Sequence, residues 1–211
     1  MWIVYYTDIT NQLTTRLTLI SIASARKAMP GVKTLMIYPT WHLVDPNILR
    51  AVDYFKDIPY LERNVHYDYR RCLANADVVG EALFVDTDIV FQDDIRNIFK
   101  YPFDIAPTLR EAEIDPAIPY NMGVCFSRTP SFWKHVAFNI PKNSPNYWKD
   151  SELAFSRCAA SSEYTKRDLQ GRLYNRSPNS KTDDVSNAYI VHYKGPHRKA
   201  WMLAREKEFI S

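Results

Sequence analysis

Glycine is scarce, with five residues in a chain of 211. A glycine-rich phosphate loop needs several within a few positions, so that device is excluded. Cysteine is scarcer still. Cys72, Cys125 and Cys158 form no CxxC pair and are odd in number, which excludes a disulfide framework and predicts buried free thiols in a reducing compartment. No stretch approaches the ~18 consecutive apolar residues of a membrane span. No basic segment precedes Met1-Trp2-Ile3-Val4-Tyr5-Tyr6, which runs straight into strand pattern. That start predicts no signal peptide and a cytoplasmic location. Charge of one sign is also lacking. A net +3 suits an anionic small ligand and makes no demand for nucleic acid.

What is present is apolar and aromatic. The chain is 46% hydrophobic, with 14 Tyr, 10 Phe and 5 Trp, enough for the large core of one domain spanning residues 1–211. Trp2–Tyr6 reads as a first strand that ends in the polar pair Thr7-Asp8. Leu13, Leu17, Ile20 and Ala23 recur at helical spacing, with Asn11 as cap and Pro30-Gly31 as stop. Thr34–Tyr38 reads as a second strand. Asp45-Pro46 opens a helix whose face is Ile48, Val52 and Phe55. The next helix is expected over 67–79, with Tyr69, Cys72, Ala76 and Val79 inward. Ala82–Val85 is a short apolar run and reads as a buried strand. This alternation predicts a parallel α/β sheet.

Later segments are less regular. Ile95, Ile98 and Phe99 suggest a short helix, Phe103–Ala106 a short strand, and 109–119 a mobile loop. Tyr120–Ser127 reads as a strand, Pro130–Phe138 and Asp150–Ala160 as helices, and Asn187–Tyr193 as the last strand. Lys142–Lys149 is polar and broken by proline. Gly195–Trp201 is basic, and His192–Trp201 is expected to turn sharply at Gly195-Pro196 and close over an anion, staying mobile until the anion binds.

The chain is organised around Phe84-Val85-Asp86-Thr87-Asp88-Ile89-Val90. A buried strand ending in Asp-x-Asp places two carboxylates at the sheet edge where ligands of open α/β sheets bind. One can face a hard cation and the other a sugar hydroxyl. Here the sequence resembles the GT-A glycosyltransferases that use nucleotide sugars, nearest the retaining glycogenin and lipopolysaccharide-galactosyltransferase group. Four segments in order carry the resemblance. Phe84–Val90 is similar to the family's metal-binding DxD strand, and Tyr120-Asn121-Met122-Gly123-Val124 to its N-x-G-V segment. Trp148-Lys149-Asp150-Ser151-Glu152-Leu153-Ala154 is similar to its DQ-x-x-L helix start, and His192–Trp201 to its C-terminal H-x-x-G-x-x-K-P-W. Tyr174-Asn175 is similar to the YN pair before that last motif. The sequence departs from the pattern at Ser151-Glu152, at Ala200 in place of proline, and by one extra residue between Gly195 and Lys199.

The resemblance implies an α/β GT-A (Rossmann-like) fold with a mixed, mainly parallel sheet flanked by helices, and a metal-dependent hexosyltransferase that takes its sugar from a nucleoside diphosphate, UDP first, with retention. It implies that Asp86, Asp88 and His192 hold the metal, Mn²⁺ or Mg²⁺, and that Asp86 also touches ribose. Imidazole among hard oxygen ligands tilts the choice to Mn²⁺. Thr7 and Asp8 are expected to meet base and ribose, Arg70 or Arg71 to reach the donor, with Arg71 preferred, and Gly195 and Lys199 to meet its phosphates. Asn121, Asp150 and Glu152 are the candidates beside the transferred sugar. The acceptor stays open among glycan, lipid, protein and modified nucleic-acid base. A nucleotidyltransferase and a catalytically inactive sugar-nucleotide-binding protein are the alternative readings.

Overall fold

The structure, a computed structural model, describes residues 1–9, 11–111, 115–142 and 147–210, with Tyr147 described in its backbone only. A six-stranded sheet is built from β1 (Trp2–Tyr6), β2 (Lys33–Pro39), β3 (Tyr54–Ile58), β4 (Ala82–Val85), β6 (Ile105–Leu109) and β7 (Tyr120–Ser127), in the order β3-β2-β1-β4-β7-β6. The first four positions run parallel, while β7 is antiparallel to both β4 and β6. A separate antiparallel pair joins β5 (Ile89–Phe91) to β8 (Ile190–His192). The mixed, mainly parallel α/β architecture expected from the sequence is therefore present.

Strand alternation sorts the core onto two faces. Val4, Tyr6 and Phe84 meet α3 (Tyr67–Asn75), α4 (Pro130–Asn139) and α5 (Tyr147–Ala160) on one side. Ile3, Tyr5, Leu83 and Val85 meet α1 (Gln12–Ala28) and α2 (Pro46–Ala51) on the other. The Asn11 cap holds, since its side chain accepts from Thr14 N. On α1, Leu17 and Ile20 are buried, but Leu13 is largely exposed and hydroxyls take part of the inner face. Ser21 bonds to the Tyr5 hydroxyl at 3.0 Å, and Ser24 accepts from Phe91 N at 3.1 Å. All three cysteines are free and buried.

Several boundaries differ from the sequence expectation. The helix opened by Asp45-Pro46 stops at Ala51, and Phe55 lies in β3 rather than on a helix face. Asp53 causes the break. Its carboxylate accepts from both the backbone N and the hydroxyl of Thr34 at 2.9 Å, which draws the chain onto the edge of β2. Helix α3 ends at Asn75, which leaves Val79 exposed before Gly80 turns at φ +92°. The expected strand at 103–106 begins two residues later, and the last strand shrinks to three residues. Gly195–Ala204 is a helix, α7, rather than a mobile turn, and its Met202 is fully buried against Leu17, Ile20, Val90 and Val191. A four-residue helix, α6 (Gly171–Tyr174), precedes Asn175. The expected loop segments at 112–114 and 143–146 lie outside the described residues. Among the described residues, no helix is long and apolar enough to cross a membrane.

Candidate functional site

Two strand registers assemble the site. In the β4–β7 ladder Val85 faces Val124, so Asp86 comes next to Gly123 and donates its backbone N–H to the Gly123 carbonyl at 3.0 Å. In the β5–β8 ladder Ile89 faces His192, and Tyr193 N donates to the Asp88 carbonyl at 2.9 Å. Asp86-Thr87-Asp88 thus bridges the two sheets and brings both carboxylates to the imidazole. His192 Nε2 lies 3.0 Å from Asp88 Oδ1 and 3.3 Å from Asp86 Oδ2. One ligand atom from each of the three residues falls within a 4.8 Å cluster. Gly123 makes room for it, because a Cβ there would sit 2.4 Å from His192 Cε1 and 2.5 Å from Asp86 Oδ2.

Other side chains fix this cluster. Burial alone would raise the Asp86 pKa. The Arg71 guanidinium, whose Nη1 lies 2.7 Å away, outweighs it together with His192 and Lys194, and holds the carboxyl well below its usual range. For His192, burial lowers the pKa, but Asp88 and the bonds to both acids win and raise it. A directional chain of hydrogen bonds sets its tautomer. Met122 N donates to Glu152 Oε2 at 3.0 Å, and Asn121 Nδ2 donates to Glu152 Oε1 at 2.8 Å. Asn175 Nδ2 donates to Asn121 Oδ1 at 2.8 Å. With that amide spent as donor, Asn175 Oδ1 must accept, so His192 Nδ1 carries the proton it shares at 2.8 Å. Nε2 is then the ring nitrogen that faces the two carboxylates.

These residues line one cleft of about 470 Å³. Arg71, Asp86, Asp88, Asn121, Glu152, His192 and Gly195 all lie on its wall. Glu152 is buried, and burial pushes its pKa up to about 7 against the opposing pull of Arg110 and Met122 N. The other candidates lie outside the cleft wall. Thr7 is turned inward and its hydroxyl donates to the Ile9 carbonyl at 2.9 Å. Asp8 is held by Arg70 Nε at 2.7 Å, and Asp150 is not on the wall. Lys199 reaches in from α7, with Nζ 3.3 Å from Asp88 Oδ2.

The fold also brings in residues that sequence reasoning passed over. Asn175 was visible only as half of a motif, with no role attached. Arg110, Lys194 and Trp148 line the cleft as well, and Arg110 lies over the Trp148 ring at 5.2 Å. Arg110 follows β6 and Trp148 opens α5, so sequence spacing carried no sign of their meeting.

The sequence matches no family model, and no curated protein matches it. Solved structures do match. A galactosyltransferase, LgtC, solved with donor and acceptor sugar analogues, superposes with a TM-score of 0.64 over 99% of this chain and 95% of its own, at 16% identity. A glycosyltransferase involved in glycosylation of the major capsid of PBCV-1 gives 0.62 over 98% of both chains, also at 16% identity. The glycosyltransferase GlyE of Streptococcus pneumoniae gives 0.67 at 11% identity, over 98% of this chain and 63% of its own. This chain has the GT-A fold. Within the GT-A fold the cleft lies where the parallel strand β4 ends, at the edge where open α/β sheets bind ligands.

The donor chemistry of the cluster fits a divalent cation. Two carboxylates and an imidazole whose Nε2 faces them make a hard, mixed O/N set of the kind that holds Mn²⁺ or Mg²⁺.

Proposed function

We propose that this protein is a glycosyltransferase, a single GT-A domain over residues 1–211, that moves a hexose from a UDP-sugar to an acceptor hydroxyl. One observation carries the reading. In a chain with the GT-A fold, the Asp86–Asp88–His192 cluster and the Glu152 carboxylate line the same cleft. Asp86, Asp88 and His192 would hold a divalent cation, with Mn²⁺ favoured by the imidazole. Such an ion supplies a Lewis acid that neutralises charge on a leaving diphosphate.

The chain's own residues do the rest. Arg71 keeps Asp86 ionised and aimed. Helix α7 starts at Gly195 with no side-chain cap, beside Lys194 and one turn before Lys199, although Pro196 removes one of its first N–H donors. That end favours phosphate. Gly195, at φ +79°, has open space where a Cβ would stand, so backbone can approach an anion closely. Glu152 and Asn121 orient the hexose. Glu152 accepts from Asn121 and Met122 N and lies 3.1 Å from Arg110. A carboxylate so engaged is a poor nucleophile, which favours retention by front-side attack over a covalent intermediate. The link from β1 to α1, Thr7–Asn11, contains no glycine, and this counts against a nucleotidyltransferase.

The test is thermal unfolding with UDP in Mn²⁺ and with UDP in chelator. A ligand at ~100 times its dissociation constant stabilises by about 2.7 kcal/mol, so UDP with Mn²⁺ should raise Tm clearly more than UDP alone. Asp88→Ala should erase the difference. Equal shifts in both conditions would overturn the metal-dependent reading, and a panel of sugar nucleotides then identifies the donor by its hydrolysis.

A further inference from the structure

Beside the donor cleft runs a groove with a charge of its own. Arg110 and Lys194 line both the cleft and the first depression beyond it, and further depressions adjoin through Glu111, Arg172 and Arg176. Arg110, Arg172, Arg176, Lys194 and Arg198 face this groove, against Glu111 and Asp184 among the described residues. Glu111 is spent on Arg176, at 2.6 Å, and Asp183 also lies 3.1 Å from Arg176. Among the described residues Arg172, Lys194 and Arg198 have no carboxylate within ion-pair distance. Arg198 is nevertheless held in place, since its Nε donates to the Pro178 carbonyl at 2.5 Å and its Nη1 to the Lys194 carbonyl at 3.3 Å.

Arg110 is the second observation. Its side chain is only 8% exposed, yet among the described residues Nε and Nη2 have no hydrogen-bond partner. Nη2 lies 3.1 Å from Glu152 Oε2 without hydrogen-bond alignment. A buried guanidinium with unmet donors is costly unless a ligand supplies acceptors. A guanidinium presents a planar fork that fits the two oxygens of a phosphate or carboxylate. The half-exposed Trp148 ring beside it offers a flat apolar face to a sugar.

We infer that the acceptor is an anionic glycan, a sugar carrying a phosphate or carboxylate group near the hydroxyl that is glycosylated. This rests on the glycosyltransferase reading, because the groove opens from the wall that holds Glu152. Arg110 would grip the oxyanion where the two spaces join, and Arg172 and Arg198 would hold the next anionic group along the groove.

Equilibrium titration into protein with UDP and Mn²⁺ tests this apart from turnover. The probes are hexose 6-phosphates, hexuronates, methyl hexosides and inorganic phosphate. At least one sugar phosphate or uronate should bind ten-fold or more tighter than its neutral glycoside, and tighter than inorganic phosphate. The preference should fall at least five-fold in Arg172→Gln/Arg198→Gln and survive in Arg172→Lys/Arg198→Lys. Equal binding of neutral and charged sugars would overturn the inference. So would inorganic phosphate binding as well as the sugar phosphate, which marks a bare anion site. A parallel loss of UDP affinity in the Gln variant would assign these charges to the donor diphosphate and also overturn it. Failure of the glycosyltransferase reading looks different. It appears in the UDP thermal shift, whereas the anionic-sugar titration can be repeated on the protein without nucleotide.

Discussion

His192 is fixed at both ring nitrogens, and the fixing begins three residues away. Glu152 can only accept while ionised, Asn121 and Asn175 pass that direction on, and His192 Nδ1 ends as the donor. Asn175→Ala should remove the last link, leave a buried N–H unmet, and free the ring to turn. Loss of such a supporting partner weakens metal binding by roughly 10–100-fold, measurable by Mn²⁺ titration with electron paramagnetic resonance. Unchanged Mn²⁺ affinity would show that Asn175 only fills space. Glu152 carries a separate pH signature. Its pKa of about 7 in the fold lies above the ordinary 4.5, so between these values the folded protein binds more protons than the unfolded chain. Stability therefore falls as pH rises from about 4.5 to 7, by on the order of 3 kcal/mol from this group, and is flat in this term above. Glu152→Gln removes the titration and leaves one of two donors, Asn121 Nδ2 or Met122 N, facing an amide nitrogen. Denaturant midpoints across this range should slope less in the variant than in the parent. Parallel curves would refute the raised pKa.

At the scale of elements, α7 has the largest consequence for the site. It presents Gly195 and Lys199 to the cleft from a helix whose far side is anchored by Met202, fully buried between α1 and the β5–β8 pair. Near its C-terminal end, Arg16 pairs with Glu206 and Lys27 donates to the Glu208 carbonyl. These contacts tie the segment that carries Lys199 to α1. Met202→Ala should cost about 2–5 kcal/mol by leaving a cavity. It should also weaken UDP binding by calorimetry, because the helix start loses its support. Stability lost with full UDP affinity retained would separate the anchor from the site.

For the whole molecule, the central sheet carries one apolar cluster on each face, and the third cluster joins α1, β5, β8 and α7. Helix α1 belongs to both the second and third clusters, and β4 to both the first and second. Shared elements couple the clusters. Unfolding in denaturant should then be one transition, with tryptophan fluorescence and far-ultraviolet circular dichroism coincident. Two separated transitions would show that the chain is not a single folding unit.

The sequence alone determined the elements with strong local signals. The Asn11 and Asp45 caps, the apolar runs of β1, β4 and β7, and proline at the start of α2 and α4 act over neighbouring residues, so they were legible in order. Asp86, Asp88, Asn121, Glu152 and His192 were legible as candidates because they stand in recognisable segments. The resemblance grouped them, but the distances and hydrogen bonds between them were not legible, since these depend on two strand registers that join residues far apart in sequence. Tertiary contacts also decided where local pattern misled. Thr34 captured Asp53 and turned the rest of a helical pattern into an edge strand, and a buried Met202 made a helix of a basic tail. Asp8 spent its charge on Arg70, Asp86 took Arg71, and Arg110 met Glu152 from a loop. Which charge pairs with which is settled by the desolvation of both partners on folding, and a linear sequence holds no record of that.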